Sequence, residues 1–140
     1  MQFPYQKLPV HQSADPSAPR IARPYLPVYL HRGCFGTPSP YYALLDSGAD
    51  NVLMPEELAE VVGIGDVKTG RGHAKTVGVG GQVVDTYFHE VEIQVQGDPR
   101  KLPIVAGFGK IEIPLLGRSF FRHFRAVIFD ESKEKVELRV

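Results

Sequence analysis

Tyr42-Ala43-Leu44-Leu45-Asp46-Ser47-Gly48-Ala49-Asp50-Asn51-Val52-Leu53-Met54 sets the terms for the rest of the chain. The apolar run Ala43-Leu44-Leu45 leads straight into an acid, Asp46. A hydroxyl, a glycine and a small residue follow, then a second acid, Asp50, and a second apolar run, Val52-Leu53-Met54. Asp is poor in strands, and burying its charge without a partner is costly. A carboxylate carried toward a core by a hydrophobic strand therefore needs a reason. Gly48 permits a tight turn or a close approach, and Ser47 offers a hydroxyl to tie the turn down. On three letters alone, Asp46-Ser47-Gly48 reads first as a surface turn between two strands.

The remaining composition narrows the class. A chain of 140 residues suits one domain with a modest core. Hydrophobic residues make up 43% and charged residues 23%, ordinary values for a globular protein. The 16 basic and 16 acidic residues cancel, so net charge draws the chain toward neither nucleic acid nor membrane. Cys34 is the only cysteine, which excludes an intrachain disulfide and suggests a cytoplasmic setting. No apolar run approaches the ~20 residues of a membrane span, and the start lacks the basic-then-apolar pattern of a signal peptide. The 12 prolines and 14 glycines punctuate short segments rich in Val, Ile, Tyr and Phe, the texture of an all-β domain.

Along the chain, residues 1–24 carry Pro4, Pro9, Pro16, Pro19 and Pro24 and read as an extended arm ahead of one domain over 25–140. Strands are expected over 25–32, 41–46 and 52–54. Residues 55–63 open on Pro55 and acids and close on Gly63, the punctuation of a short helix. The glycine-rich run that follows spaces its glycines like a phosphate-binding loop, but Arg71 and Gly72 stand where Lys and Ser/Thr are needed. A β-hairpin fits better, running out over 74–79, turning at Gly80-Gly81 and returning over 82–96. Val91 to Gln96 alternates apolar and polar. Further strands are expected over 102–106, 111–116, 126–130 and 135–140, with a turn over 107–110. Residues 118–124 are a second short helix with Phe120, Phe121 and Phe124 on its core face.

Leu44-Leu45-Asp46-Ser47-Gly48-Ala49-Asp50 resembles the catalytic segment of retropepsin-like aspartic proteases. The second half of that family's pattern, an apolar pair and a glycine opening a short helix, is matched by Leu115-Leu116-Gly117-Arg118. The resemblance covers residues 28–140 or so. It implies a closed or partly open acid-protease barrel, all-β, with a flap hairpin and one or two short helices. It also implies an aspartic endopeptidase that needs no metal and no cofactor. Two carboxylates sharing one proton serve as base and acid in such enzymes. This chain holds one such Asp, and Asp66, Asp85, Asp98 and Asp130 sit among turn or hairpin residues. A homodimer with Asp46 facing its own copy is therefore expected, acting on a peptide or protein substrate.

By the same resemblance, Ser47 ties the two active-site turns together and Gly48 presents its carbonyl to substrate. Asp50 binds peptide backbone and pairs with Arg118. Leu116 and Gly117 support the site, and Gly80 and Gly81 supply amides from the flap tip. Ala49, Asn51, Val52, Ile104 and Leu115 line the cleft. Three features depart from the family pattern. The flap tip is not rich in isoleucine, the arm is longer than the minimal form, and Asn51 stands where a second acid is frequent. A catalytically silent dimer that binds extended peptides or mediates protein interaction is the alternative. The five histidines show no metal-ligand spacing and read as surface or structural groups, and Cys34 as inert.

Overall fold

The computed structural model describes residues 1–8, 20–77 and 81–140. In chain order the strands are β1 (Gln2–Pro4), β2 (Tyr25–Arg32), β3 (Phe35–Gly36), β4 (Tyr41–Leu45) and β5 (Val52–Pro55). Helix α1 (Glu57–Val61) and a 3-10 turn (Val67–Thr69) follow, then β6 (Gly72–Val77), β7 (Val83–Val95), β8 (Leu102–Gly109) and β9 (Leu115–Leu116). The chain closes with α2 (Arg118–Phe121), β10 (Ala126–Asp130) and β11 (Lys135–Arg139).

The main sheet has the order β3-β2-β4-β9-β5-β8-β7-β6, and an added pairing of β2 with β7 closes six of these strands into a barrel. Closure follows from the length of β7. Its near half pairs with β6, and its far half pairs with both β8 and β2. There the inward Val91, Ile93 and Val95 are almost wholly buried and alternate with Glu92 and Gln94, as a one-faced strand should. Inside the barrel they meet Leu26, Val28, Leu30, Met54, Ala106 and Phe108.

The motif strands sit side by side. β4 and β9 run parallel, Leu44 beside Leu115 and Leu45 beside Leu116. The two apolar pairs read from sequence are thus neighbours in one sheet.

Three expectations need correction. The turn expected over 107–110 is largely strand, since β8 runs on to Gly109. A Cβ on Gly109 would stand 2.6 Å from the carbonyl oxygen of Asp85, so the glycine lets β7 and β8 lie close instead of breaking the strand. The strand expected over 111–116 shrinks to Leu115–Leu116. Pro114 lacks a donor, while its carbonyl accepts from the Leu44 amide at 2.8 Å. The third correction concerns the arm. Its first residues form β1 and pair antiparallel with β11, Phe3 opposite Val136. Tyr5 is buried and donates from its hydroxyl to Glu131 at 2.7 Å. Burial first, and that hydrogen bond next, push the Tyr5 phenol up to about 12. Residues 9–19 of the expected arm lie outside the described residues.

Both expected helices form, each shorter than its sequence pattern. Phe120 and Phe124 are core, with Phe121 half-buried beside them. Among the described residues no helix is long and apolar enough to cross a membrane.

Candidate active site

β4 ends at Leu45, and Asp46 is the first residue beyond it. The Asp46 amide donates to the Leu116 carbonyl at 3.0 Å, so the neighbouring motif strand fixes where the acid leaves the sheet. One carboxylate oxygen, Oδ1, accepts from the Gly48 amide at 2.9 Å. The Ala49 amide closes the turn onto the Asp46 carbonyl at 3.2 Å. This is an Asx turn: the side chain replaces a backbone acceptor and holds its own rotamer in doing so. A Cβ at position 48 would stand 3.3 Å from that Oδ1. Asp46 and Ala49 are half-buried, and Ser47, Gly48, Asp50 and Asn51 are exposed. The acid is held by main chain on one side and open on the other.

The second motif locks the first. Gly117 is buried, and a Cβ there would fall 2.3 Å from the Asn51 carbonyl oxygen and 2.6 Å from that of Ala49. No side chain fits at that distance, so the glycine is required by close approach of two backbones. From this contact the Arg118 amide donates to the Ala49 carbonyl at 2.8 Å and the Ser119 amide to that of Asp50 at 2.9 Å. Two amides at the start of α2, which have no partner inside the helix, thereby pin the loop that carries Asp46.

The expected side-chain pairing of Asp50 with Arg118 is not among the ion pairs of the described residues. Both side chains are exposed, and the link between their segments is the pair of main-chain hydrogen bonds just given. Leu116 is fully buried behind the site. Val52 and Ile104, expected along the cleft, are core residues instead. Sequence reasoning missed Ser119, whose Oγ is buried without a hydrogen-bond partner among the described residues. Its only sequence signal was its place two residues after the required glycine.

The hairpin forms, with β6 and β7 in register from Gly72 opposite Phe88 to Val77 opposite Val83. Gly80 lies outside the described residues. Gly81 has φ of 81°, the left-handed region that favours glycine, and is exposed. One face of the hairpin is stitched by His73, which stacks on Tyr87 at 4.7 Å and bonds Asp85 through Nε2 at 2.9 Å.

Of the other histidines, His89 is buried against the Val67 carbonyl at 2.7 Å and His31 meets Gln94 at 3.0 Å. Among the described residues no three His, Cys, Asp or Glu side chains are placed to share a metal ion. Asp98 is buried, and its Oδ2 accepts from Nη2 of Arg100 at 2.7 Å and from Nε at 3.0 Å, while Oδ1 accepts from the Arg100 amide at 3.0 Å. Those bonds hold its carboxyl below the usual carboxylate range. The Arg100 guanidinium in turn lies 5.2 Å from the centre of the Phe124 ring.

No protein-family model and no curated protein matches this chain. Among solved structures it is similar to an EIAV protease complexed with the inhibitor HBY-793. The identity is 22%, the match covers 72% of this chain and 86% of that one, and the TM-score is 0.52. At that identity the likeness establishes the fold: the barrel with its paired motif strands is retropepsin-like.

Proposed function

We propose that the chain is an aspartic endopeptidase that works as a homodimer, with Asp46 of each copy supplying one carboxylate of the catalytic pair. The observation that carries this reading is the locked turn. Asp46 sits at the end of a strand whose Ala43 and Leu45 are buried, its rotamer tied by the Gly48 amide and its loop pinned by Gly117 and two amides of α2. A rigid acid with one open side suits a group that must meet a second acid and a water.

The mechanism follows from the pair. One carboxylate, ionised, takes a proton from water as the water attacks the peptide carbonyl carbon. The other, protonated, donates to the carbonyl oxygen. Collapse of the tetrahedral adduct breaks the C–N bond, and a proton passes to the leaving nitrogen. Asp50, Asn51 and Ala49 hold the substrate backbone beside the turn, and the β6–β7 hairpin with Gly80 and Gly81 closes over it. A peptide laid between turn and hairpin is extended, since it adds main-chain hydrogen bonds strand-fashion.

The test is cleavage of an unfolded protein across acidic to neutral pH by the wild type and by Asp46→Asn. The wild type should cut and the variant should lose activity by about 10²–10⁴-fold, the range of acid–base catalysis. Equal cutting by both removes this reading. Tight binding of peptides that are recovered intact points to the silent dimer.

A further inference from the structure

We infer that the cleft between α1 and the segment before β9 takes one lysine or arginine side chain from another protein. The inference rests on that cleft and stands apart from the reading of Asp46.

The cleft has a volume of about 320 Å³, the small end of the range for ligand sites and enough for one long side chain. Its floor is Leu58 and Pro114, both buried, and its walls are the half-buried Tyr41 and the exposed Val61. Two exposed acids line it as well, Glu57 from α1 and Glu112 from the segment before β9. Among the described residues no basic side chain lines it, and neither acid takes part in an ion pair.

Two other clefts carry both signs of charge. Arg32 and Arg71 share one with Glu90, which Arg71 binds, and Lys68 and Lys110 share another with Glu56 and Asp85. Beside α1 the charge is of one sign. Glu57 has a local reason, because an acid suits the first turn of a helix. Glu112 has none: it stands on an irregular stretch between Ile111 and Ile113, yet lines an apolar cleft beside a second acid.

An apolar floor with carboxylates beside it has one complement among side chains, a long methylene stem ending in a cation. Lys and Arg lay such stems along apolar surface and keep the charged head at the rim. There the head meets the carboxylates, and a cation over Tyr41 adds a contact with its ring. An apolar ligand leaves both acids unpaired, and an anion meets them with the same charge. The occupant belongs to a polypeptide, since Val61, 37% exposed, offers further apolar surface that neighbouring residues of a chain can cover and a small free amine cannot. Tyr41 begins β4 and Pro114 precedes β9, so a protein held here docks on the two strands that carry the motifs.

The experiment uses the full chain carrying Asp46→Asn, so that peptides stay intact whichever reading of Asp46 holds. Blocked pentapeptides with lysine, arginine, norleucine or glutamate between pairs of alanines are titrated against isotope-labelled protein and followed by amide NMR shifts. The lysine and arginine peptides should shift Leu58, Val61 and Glu112 saturably. The norleucine peptide should bind about tenfold more weakly and the glutamate peptide not at all. Glu57→Gln combined with Glu112→Gln should bring the lysine peptide down to the norleucine level. Glu92→Gln, in the cleft beside Arg32, should change nothing, with thermal melting confirming that each variant is folded. Equal binding of the lysine and norleucine peptides overturns the inference, and so does an equal loss on Glu92→Gln. A lysine peptide that shifts Gly48 and Asp50 and leaves Leu58 unmoved has bound at the candidate active site, which also overturns it. Butylammonium binding as tightly as the lysine peptide makes the occupant a free amine and overturns the docking of a protein.

Discussion

At the scale of single residues, the site depends on contacts that allow little substitution. Gly117 is the clearest case. Gly117→Ala drives a methyl group into the carbonyls of Asn51 and Ala49. Overpacking of this kind costs about 1–3 kcal/mol, and here the strain falls on the loop that orients Asp46. A lower melting temperature together with lost cleavage is the expected result, read by calorimetry and a peptide assay. Asp46→Asn differs in kind. It keeps an acceptor for the Gly48 amide, so melting should stay close to that of the wild type while activity disappears. Asp98 predicts a pH effect. Its folded carboxyl titrates below the ordinary value because Arg100 binds it. The stability this contributes is therefore full above the unfolded carboxylate range and is lost as pH falls through the lower, folded value. Asp98→Ala should cost about 1.5–3 kcal/mol at neutral pH, as hydrogen bonds to a charged group are worth. It should also flatten the acid limb of stability against pH, measured by urea unfolding.

At the scale of elements, the strongest signals in the sequence were those written in local chemistry. β4, β5, the clean alternation in β7 and both helices follow from apolar runs and their punctuation, and so does the pairing of β6 with β7. Asp46, Ser47 and Gly48 were legible for the same reason: an acid after Leu44-Leu45 breaks a hydrophobic pattern abruptly. Elements whose shape is set by distant partners were hidden. β1 is three residues ending in proline, too short to show a period, and its partner lies at the far end of the chain. Gly107 and Gly109 read as turn residues, although what they serve is close packing of β8 against its neighbours. The Asp50–Arg118 pairing came from resemblance alone, and the described residues join those segments through backbone amides instead. Nothing local distinguishes an amide that pins a loop from one that faces water. The hairpin carries its own prediction. His73→Ala removes the stack on Tyr87 and the bond to Asp85, both on exposed surface. Exposed links of this kind are worth about 0.2–1 kcal/mol, so amide exchange should quicken within β6 and near its partners in β7 with little change in global melting.

At the scale of the whole molecule, the barrel supplies a rigid frame and the chain supplies one acid. β2 and β7 close the barrel, β4 and β9 carry the two motifs side by side, and the terminal sheet runs β1-β11-β10. Every part of the functional reading then turns on whether the catalytic pair is built from two chains. Mixing tests this most directly. Wild-type protein is combined with increasing Asp46→Asn at constant total concentration, allowed to exchange partners, and assayed for peptide cleavage. If each active site needs Asp46 from both copies, activity falls as the square of the wild-type fraction, to about a quarter at an equal mixture. Activity that falls only in proportion, to about half, would show that a single Asp46 suffices and would contradict the account.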